Sequence, residues 1–289
     1  MYEYESIEDI LNLCRATELP FWEVVLCAEE EREEMSRSMI VEEASRRIQI
    51  FRDSVRIGLD DEGKTPSGMS GGDAVSIRDT DPLFLGTFAH AALSFAMAVS
   101  EANAKMYRVV ACPTAGSCGI MPGCFVAMET IYRVTEEQLL RGFFAAAGIG
   151  NVITNVAGVA GAVGGCQAEC GSAAAMAAGG IVAVMGGTPE QIANAATLAL
   201  KNVLGLVCDP VAGLVEVPCI KRNGMHAVHA ITAAEMALAG VKSVIPADEV
   251  ILAMKYIGAA LPSSLRETSE GGLAVTSSAL AIAEKVRNL

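Results

Sequence analysis

The stretch from Phe143 to Gly187 constrains the fold more than any other part of the chain, because it carries a single charged residue, Glu169. It is rich in Gly and Ala and long enough to raise the question of membrane spans. Two asparagines and a glutamine interrupt its apolar character, and a Gly-Gly-Cys turn breaks it. These interruptions favour central helices that are buried on all sides over helices that face lipid.

The composition supports an all-α fold around these helices. Apolar residues make up 52% of the chain but aromatic residues only 5%, so small and aliphatic side chains must fill the core. Such a core favours tight helix packing over a sandwich of aromatic-rich strands. No segment has a convincing strand alternation. We therefore predict an all-α, multi-helix protein with buried Gly/Ala-rich central helices.

Local signals predict where several helices begin. Capping-box patterns predict helix starts at Ser6, Thr135 and Thr188. Apolar residues recur mostly at steps of three or four from Phe21 to Val55, which predicts one long helix with a charged outer face.

Further start and stop signals predict the remaining helices. Asp81 as N-cap and Pro82 at the first helical position predict a helix that runs to about Lys105. Pro, Gly and Ser in CPTAGSCGIMPGC predict a turn that stops it. Later helices are predicted to end at 206, to cover 223–239, and to run from about 246 to 262, with a short helix in the tail.

The clearest break in the chain is the segment GLDDEGKTPSGMSGGDA, which has loop composition. It separates an N-terminal helical segment, 1–58, from a helical domain, 59–289, and we expect the two to form one compact unit. The segment is either a linker or, through SGMSGGD ahead of helical sequence, a nest of backbone N–H groups for an anion.

Charge and cysteine content limit the classes of function. The net charge of −13, with no basic patch to offset it, argues against nucleic acid as a partner. The N-terminal MYEYESIEDI has neither the basic nor the apolar region of a secretory signal, so we expect a cytoplasmic protein. Nine cysteines are then expected to be thiols or metal ligands rather than a disulfide framework.

Three cysteines lie in Gly- or Pro-rich turns between predicted helices. They are Cys166 in GGCQAEC, Cys208 in LVCDPV and Cys219 in VEVPCIKRN. Three such thiolates are what an iron–sulfur cluster with one iron free of protein ligands needs. Their spacing matches no local zinc or ferredoxin motif, so buried core thiols stay an alternative at this point.

The other cysteines fit a ligand role less well. Cys14 and Cys27 lie in predicted N-terminal helices, where a structural role is expected. Cys112, Cys118 and Cys124 flank a Gly-rich turn at spacings wider than those of ferredoxin sites.

Two of the three histidines follow Cys219 on the next predicted helix. His226 and His229 are three positions apart and therefore share one helix face. They either serve a site beside Cys219 or form an ordinary pair at a surface or subunit contact.

Five blocks of sequence resemble one known family. In chain order they are SGMSGGD, EANAKMYRVVACPTAGSCGIMPG, GGCQAECGSAAAMAA, CDPVAGLVEVPCIKRN and LRETSEGGLAV. Together they resemble the α chain of bacterial iron–sulfur-dependent L-serine dehydratase, from about residue 60 to the end. The resemblance implies an all-helical catalytic domain that holds a [4Fe–4S] cluster through Cys166, Cys208 and Cys219. Cys170 stands where relatives are expected to have an aliphatic residue, and it is not counted as a ligand.

The resemblance also implies a substrate site and a reaction. The SGMSGGD loop and the PTAGSCG turn would line the pocket for L-serine, through Ser67, Gly68, Met69, Gly71, Thr114, Gly116 and Ser117. The reaction would eliminate water from L-serine to give pyruvate and ammonia, with the ligand-free iron as Lewis acid on the hydroxyl. Lys221 and His226 are the candidates within this chain for the base that takes the Cα proton.

The resemblance further implies a partner chain. Relatives pair this domain with a β domain, and no such domain fits within residues 1–60. We therefore predict a separate β chain, which could carry the base, and a homo- or hetero-oligomer. The chain ends in Val-Arg-Asn-Leu rather than in a cysteine, so the fourth iron would be capped by water, substrate or another chain.

Three alternatives stay open from the sequence. The nearest is an L-cysteine desulfidase of the same family, with the same cluster acting on a thiol leaving group. A pyridoxal-phosphate enzyme is disfavoured because no lysine lies in a recognisable Schiff-base context beside a Gly-rich phosphate cup. A non-enzymatic helical protein of the membrane or a scaffold depends on the apolar middle of the chain alone.

Overall fold

The computed structural model describes residues 1–288 and confirms the all-α prediction. Within that range it has thirteen α-helices and no β-strand, apart from one isolated bridge between Cys208 and Arg266. The helices are α1 (Ile7–Thr17), α2 (Phe21–Glu33), α3 (Arg37–Asp60), α4 (Asp73–Arg78), α5 (Thr87–Ala104), α6 (Ile120–Tyr132), α7 (Glu136–Ala157), α8 (Gly161–Gly164), α9 (Ser172–Val184), α10 (Pro189–Lys201), α11 (Cys219–Leu238), α12 (Ala247–Ala260) and α13 (Ser277–Arg287).

Helix α9 forms the centre of the core. Every residue from Ser172 to Val184 is buried, because α6, α7, α10 and α11 surround the helix. Its Ala- and Gly-rich sequence suits this position, since small side chains let neighbouring helices approach closely. The predicted buried central helices are therefore confirmed.

One described helix, α7, is long and apolar enough to cross a membrane by length and composition alone. A single helix of this kind is weak support for a span, because the core helix of a water-soluble protein meets the same criteria. In this protein α7 packs against α2 on one side and α9 on another.

All three predicted capping boxes are present. Ser6, Thr135 and Thr188 each accept a hydrogen bond from the backbone N–H three residues later, and the side chain at that position accepts one in return. These caps fix the starts of α1, α7 and α10.

The single long helix predicted from Phe21 to Val55 is wrong, because the chain forms two helices there. Helix α2 ends at Glu33, Glu34 takes a left-handed conformation with φ of 51°, and α3 begins after Ser36. A left-handed residue stops a helix by turning the next peptide out of its path. The apolar spacing continues across the break, which is why periodicity alone joined the two helices.

Four other predicted boundaries are also wrong. Helix α5 begins at Thr87 after Gly86, so Asp81 and Pro82 lie in an exposed loop ahead of it. Helix α6 begins at Ile120, within the segment predicted as a turn. The helix predicted to end at 206 ends at Lys201, and the helix predicted from 223 begins at 219.

The N-terminal helices pack onto the rest of the chain rather than standing apart. Helix α3 lies against α5 and α6, and α2 lies against α7. The N–H groups of Ile7 and Glu8 donate to the carboxylate of Asp248 at the start of α12. The division into 1–58 and 59–289 stays a prediction, and residue 289 lies outside the described range.

Candidate functional site

Cys166 stands at the start of a π-helical turn, Gln167–Gly171, that leads directly into α9. The side chain of Gln167 is fully buried and fixes this turn. Its amide nitrogen donates to the carbonyls of Gly164 and Met254, each at 2.9 Å, and its oxygen accepts from the N–H of Gly205 at 2.9 Å. The turn is thereby tied to α8, to α12 and to the loop after α10.

Cys208 is held by the tail of the chain. Its N–H donates to the carbonyl of Leu265 at 2.9 Å, and its carbonyl accepts from the N–H of Glu267 at 2.8 Å. Glu267 has φ of 64°, in the left-handed region that non-glycine residues rarely occupy. Such strained residues occur preferentially at functional sites.

Arg222 and Asp209 stabilise the loop that follows Cys208. The Arg222 guanidinium donates to Asp209 and to the carbonyl of Val207, both at 2.9 Å. The other oxygen of Asp209 accepts from the N–H of Leu273 at 2.8 Å. Arg222 lies three positions after Cys219 on α11. One turn of this helix therefore carries the Cys219 thiol and also orders the loop that follows Cys208.

The thiols of Cys166, Cys208 and Cys219, here called the converging cysteines, lie close enough for their charges to interact. Burial raises the pKa of Cys208 and raises that of Cys219 to about 12, and the negative charge of Cys166 is the next cause in both. The pKa of Cys166 is lowered, first by a hydrogen bond from the Cys170 thiol and also by the charge of Arg222.

Glu169 projects into the same space. One carboxylate oxygen, Oε2, lies 3.9 Å from Cys208 Sγ, and the other, Oε1, accepts a 2.8 Å hydrogen bond from Thr114 Oγ1. Two glycines leave room for it, because a Cβ on Gly116 would lie 2.9 Å from Oε1 and one on Gly161 would lie 2.6 Å from Oε2. Burial raises the pKa of this carboxyl.

Asn223 connects the PTAGSCG turn to α11. It is fully buried, and its side-chain oxygen accepts from the N–H of Gly119 at 2.9 Å. Its amide nitrogen donates to the carbonyls of Gly116 and Cys219, at 2.8 and 2.9 Å. In the same turn Ser117 donates to the carbonyl of Cys112 at 3.1 Å and lies 3.2 Å from Thr114 Oγ1. The predicted substrate residues 114, 116 and 117 therefore stand beside the converging cysteines.

The SGMSGGD loop ends in a nest of N–H groups, as the sequence suggested, but a side chain of this protein fills part of it. The N–H groups of Gly72, Asp73 and Ala74 donate to the carboxylate of Glu101 at 3.0 to 3.1 Å. Glu101 is fully buried in α5. Its negative charge stabilises the start of α4, which the sequence analysis did not identify.

The earlier part of this loop carries the other predicted substrate residues. Thr65 closes it by accepting from Ser70 N–H and donates to the buried Glu216 at 2.6 Å. Ser67 Oγ accepts from the N–H of Met69 at 3.1 Å. The remaining predicted members of the loop, Gly68 and Gly71, both have positive φ. Because Glu216 belongs to the segment between the second and third converging cysteines, the loop is attached to that segment.

The two candidate bases differ in their surroundings. Lys221 is partly exposed, and its ammonium forms an ion pair with Asp73. His226 is buried, its Nδ1 bonds to the carbonyl of Arg222 at 2.7 Å, and its Nε2 is buried without a hydrogen-bond partner among the described residues. Burial lowers the pKa of His226 to about 4, so the ring is neutral at pH 7. Its neighbour His229 bonds to Ala199 O on α10 at 2.8 Å.

Cys112, Cys118 and Cys124, here called the core cysteines, are buried among apolar side chains. Burial is the largest cause that raises the pKa of each, to about 12 for Cys112 and Cys124. Cys124 is inside α6, where its thiol faces the carbonyl of Ala227.

Sequence reasoning missed four side chains that shape this site, namely Glu169, Asn223, Arg222 and Glu267. Glu169 had a usable signal, since it is the single charge in a long apolar stretch. The other three lie in ordinary polar sequence, and only the fold shows which loops they join.

The donor set fits an iron–sulfur cluster held by three cysteines. Thiolates are the usual ligands of such clusters, and neighbouring buried thiolates are costly unless a metal neutralises them. The charge of Cys166 acts on both Cys208 and Cys219, so the three thiols share one space. The ligand atoms of Cys208, Glu169 and Glu267 lie within 4.8 Å of one another.

Comparison with known proteins gives one consistent family. The family model described as "Serine dehydratase alpha chain" matches residues 16–274. The chain is 43% identical to the "Probable L-serine dehydratase, alpha chain" of Bacillus subtilis, over 98% of this chain and 95% of that protein. It is 42% identical to the "L-serine dehydratase, alpha chain" of Peptoniphilus asaccharolyticus, over 93% of each. The "L-serine dehydratase" of Streptomyces coelicolor is 39% identical over 95% of this chain, which spans 61% of that longer protein.

Proposed function

This chain belongs to the serine dehydratase α-chain family, and from that premise we propose that it catalyses the dehydration of L-serine to pyruvate and ammonia. The observation that carries the proposal is the meeting of the converging cysteines with the PTAGSCG turn, which links a metal-binding donor set to a polar turn. In the reaction a proton leaves Cα and hydroxide leaves Cβ. The aminoacrylate product tautomerises to an imine, which takes up water and releases ammonia.

Cys166, Cys208 and Cys219 are proposed to hold a [4Fe–4S] cluster. Three protein thiolates leave one iron without a protein ligand, and that iron would supply the Lewis acidity that lets a hydroxyl group depart. Cys170, although it contacts Cys166, is not proposed as a ligand. Its burial and its position one helical turn into the π-helical segment make it a packing residue beside the site.

The substrate is proposed to lie between the PTAGSCG turn and the SGMSGGD loop. Hydroxyl groups from Thr114, Ser117 and Ser67 and the backbone of Gly68, Met69, Gly71 and Gly116 would orient it. The buried bonds of Asn223 hold the first of these segments in place, so that its position does not depend on substrate. Preorganised donors of this kind bind without reorganising during the reaction.

Of the two candidate bases, His226 is better suited to accept a proton, and Lys221 lies closer to Cys219 and is more exposed. The Lys221 ammonium is ion-paired with Asp73 and has no free lone pair while that pair persists. His226 is neutral and has an unpartnered Nε2, but it lies two turns beyond Cys219, about 10 Å along α11 at ~1.5 Å per residue. A base on the β chain therefore stays part of the proposal.

A separate β chain is proposed as the partner. The α-chain names of the Bacillus and Peptoniphilus relatives imply a second chain, and the Streptomyces relative has further sequence that this chain does not span. A cytoplasmic location belongs to the same proposal, since cysteine thiols stay reduced there and remain free to bind metal.

The test is turnover by the anaerobically purified α and β chains together, with L-serine and L-cysteine as separate substrates. We expect pyruvate and ammonia from L-serine, with iron and acid-labile sulfide in the protein. Sulfide release from L-cysteine without consumption of L-serine would replace the proposed function by desulfidation. Turnover by protein stripped of iron would contradict the role of the cluster.

A further inference from the structure

The carboxylate of Glu169 is the feature of this site that the proposed reaction has not used. It lies within the site rather than beside it, bonded to Thr114 at 2.8 Å and in contact with Cys208 at 3.9 Å. The neighbouring Glu267 brings a second carboxylate within 4.8 Å. Within residues 1–288 no lysine, arginine or histidine forms an ion pair with either of them.

The other acids around the site already have partners. Asp209 is paired with Arg222, Asp73 with Lys221, and Glu216 accepts from Thr65. Glu101 accepts three backbone N–H bonds. Glu169 is different, because one of its oxygens has a hydroxyl donor while the other faces only a thiol.

Glu169 is also held in place by neighbours that are too small to displace it. A side chain at Gly116 or Gly161 would collide with the carboxylate, at 2.9 and 2.6 Å from its two oxygens. Thr114, a predicted substrate residue, fixes the orientation of Oε1. The carboxylate is thereby presented toward the same space as the converging cysteines.

L-Serine brings one cation into this space, its α-ammonium group. A buried ammonium without a counter-charge is strongly unfavourable, so a site for amino acids needs a carboxylate in contact with it. We propose that Glu169 binds the α-ammonium of the substrate, with Glu267 adding to the negative potential, and so restricts the site to amino acids. This inference rests on the proposed function and assigns the substrate-selecting residue of the same site.

The first experiment measures binding without turnover. The two-chain holoenzyme is titrated calorimetrically with L-alanine and with L-lactate, which differ in an ammonium and a hydroxyl and have no β-leaving group. Wild type is expected to prefer L-alanine, and Glu169→Gln to lose about 10- to 100-fold of that preference, the range of a charge-assisted hydrogen bond. An unchanged preference in Glu169→Gln overturns the proposal.

The second experiment uses L-serine and separates binding from chemistry. Loss of uniform substrate binding raises KM and leaves kcat nearly unchanged. We expect that pattern in Glu169→Gln, a smaller rise in KM in Glu267→Gln, and wild-type values in Glu137→Gln, whose side chain is exposed on α7. A fall in kcat at unchanged KM would overturn the proposal, because Glu169 would then act on the reacting atoms.

The iron and sulfide content of each variant shows whether a substitution has disturbed the cluster rather than substrate binding. Content equal to wild type supports the proposal, whereas loss of iron in Glu169→Gln overturns it in favour of a cluster-holding role. If Glu169→Gln does not fold, Gly116→Ala is the second variant, because its Cβ would displace Oε1 and must lower the preference for L-alanine in the same direction. A wild-type holoenzyme inactive on L-serine would instead refute the proposed function.

Discussion

The core cysteines and the converging cysteines differ in the polarity of their surroundings, although both sets lie in Gly- and Pro-rich sequence. The core cysteines are close together in the chain, and apolar side chains enclose them. The converging cysteines are far apart in the chain and meet among charged groups, with Arg222 and Glu169 beside them. Spacing in the sequence therefore says little about a metal site, while charged residues that the fold brings to a buried thiol say much.

The largest effect is expected from replacing a cysteine of one set and comparing the result with the same replacement in the other set. Replacing Cys166, Cys208 or Cys219 by Ala should abolish both iron binding and turnover, because each is proposed to supply one thiolate to the cluster. Cys124→Ala is the matched control and should keep its iron, at a cost of about 1 kcal/mol in the free energy of unfolding for the small cavity. Iron analysis and urea unfolding measure the two quantities. If Cys208→Ala kept its iron, the converging cysteines would not differ from the core cysteines in binding metal.

The second prediction concerns the side chain that attaches the PTAGSCG turn to α11. Asn223→Ala would leave the buried N–H of Gly119 and the partly buried carbonyl of Gly116 without these partners. We expect the free energy of unfolding to fall by about 2–4 kcal/mol and turnover to fall with it. Asn155→Ala, at an exposed position on α7, should change stability by less than about 0.5 kcal/mol. Equal effects of the two substitutions would show that the turn is not held by Asn223.

The third prediction is that the burial of His226 makes the free energy of unfolding depend on pH. Its pKa is lowered to about 4, first by burial and also by the charges of His229 and Arg222. The unfolded chain therefore binds a proton at higher pH than the folded protein does, and stability falls as the pH drops from about 6.5 to about 4.

The expected loss from this one group is at most about 3 kcal/mol. It is measured as the difference between the pH profiles of unfolding for wild type and His226→Gln. Because the carboxylates titrate in both proteins, only the difference reports on His226. Parallel profiles would show that the ring is accessible to solvent, in which case burial would not distinguish it from an exposed histidine.

The sequence predicted the parts of the fold that local chemistry determines. Capping boxes at Ser6, Thr135 and Thr188 gave correct helix starts, because the bonds form within four residues. The break at Glu34 was missed because the apolar spacing is continuous on both sides of it. The Asp-Pro pair before α5 was a plausible cap, but the helix begins five residues later, after Gly86.

The site was predictable only where a motif named its residues. The turns that contain the converging cysteines were identified by resemblance, and the structure brings those turns together. Glu267 and Asn223 act across loops that are distant in sequence, so no local pattern could assign them. The SGMSGGD segment had the composition of an anion nest, but only the fold shows that Glu101 from α5 occupies the last two of its N–H groups, together with that of Ala74.

The smallest effect is expected at Cys27, which belongs to neither set. Its thiol is half-buried on α2, 3.9 Å from Glu23 Oε1, and the helix face there is already polar. A serine hydroxyl in the same position can bond to that carboxylate or to water, so Cys27→Ser should change the free energy of unfolding by less than about 0.5 kcal/mol. Iron content should not change. A larger loss in urea unfolding would mean that burial alone, without enclosure by apolar side chains, makes a thiol structurally important in this protein.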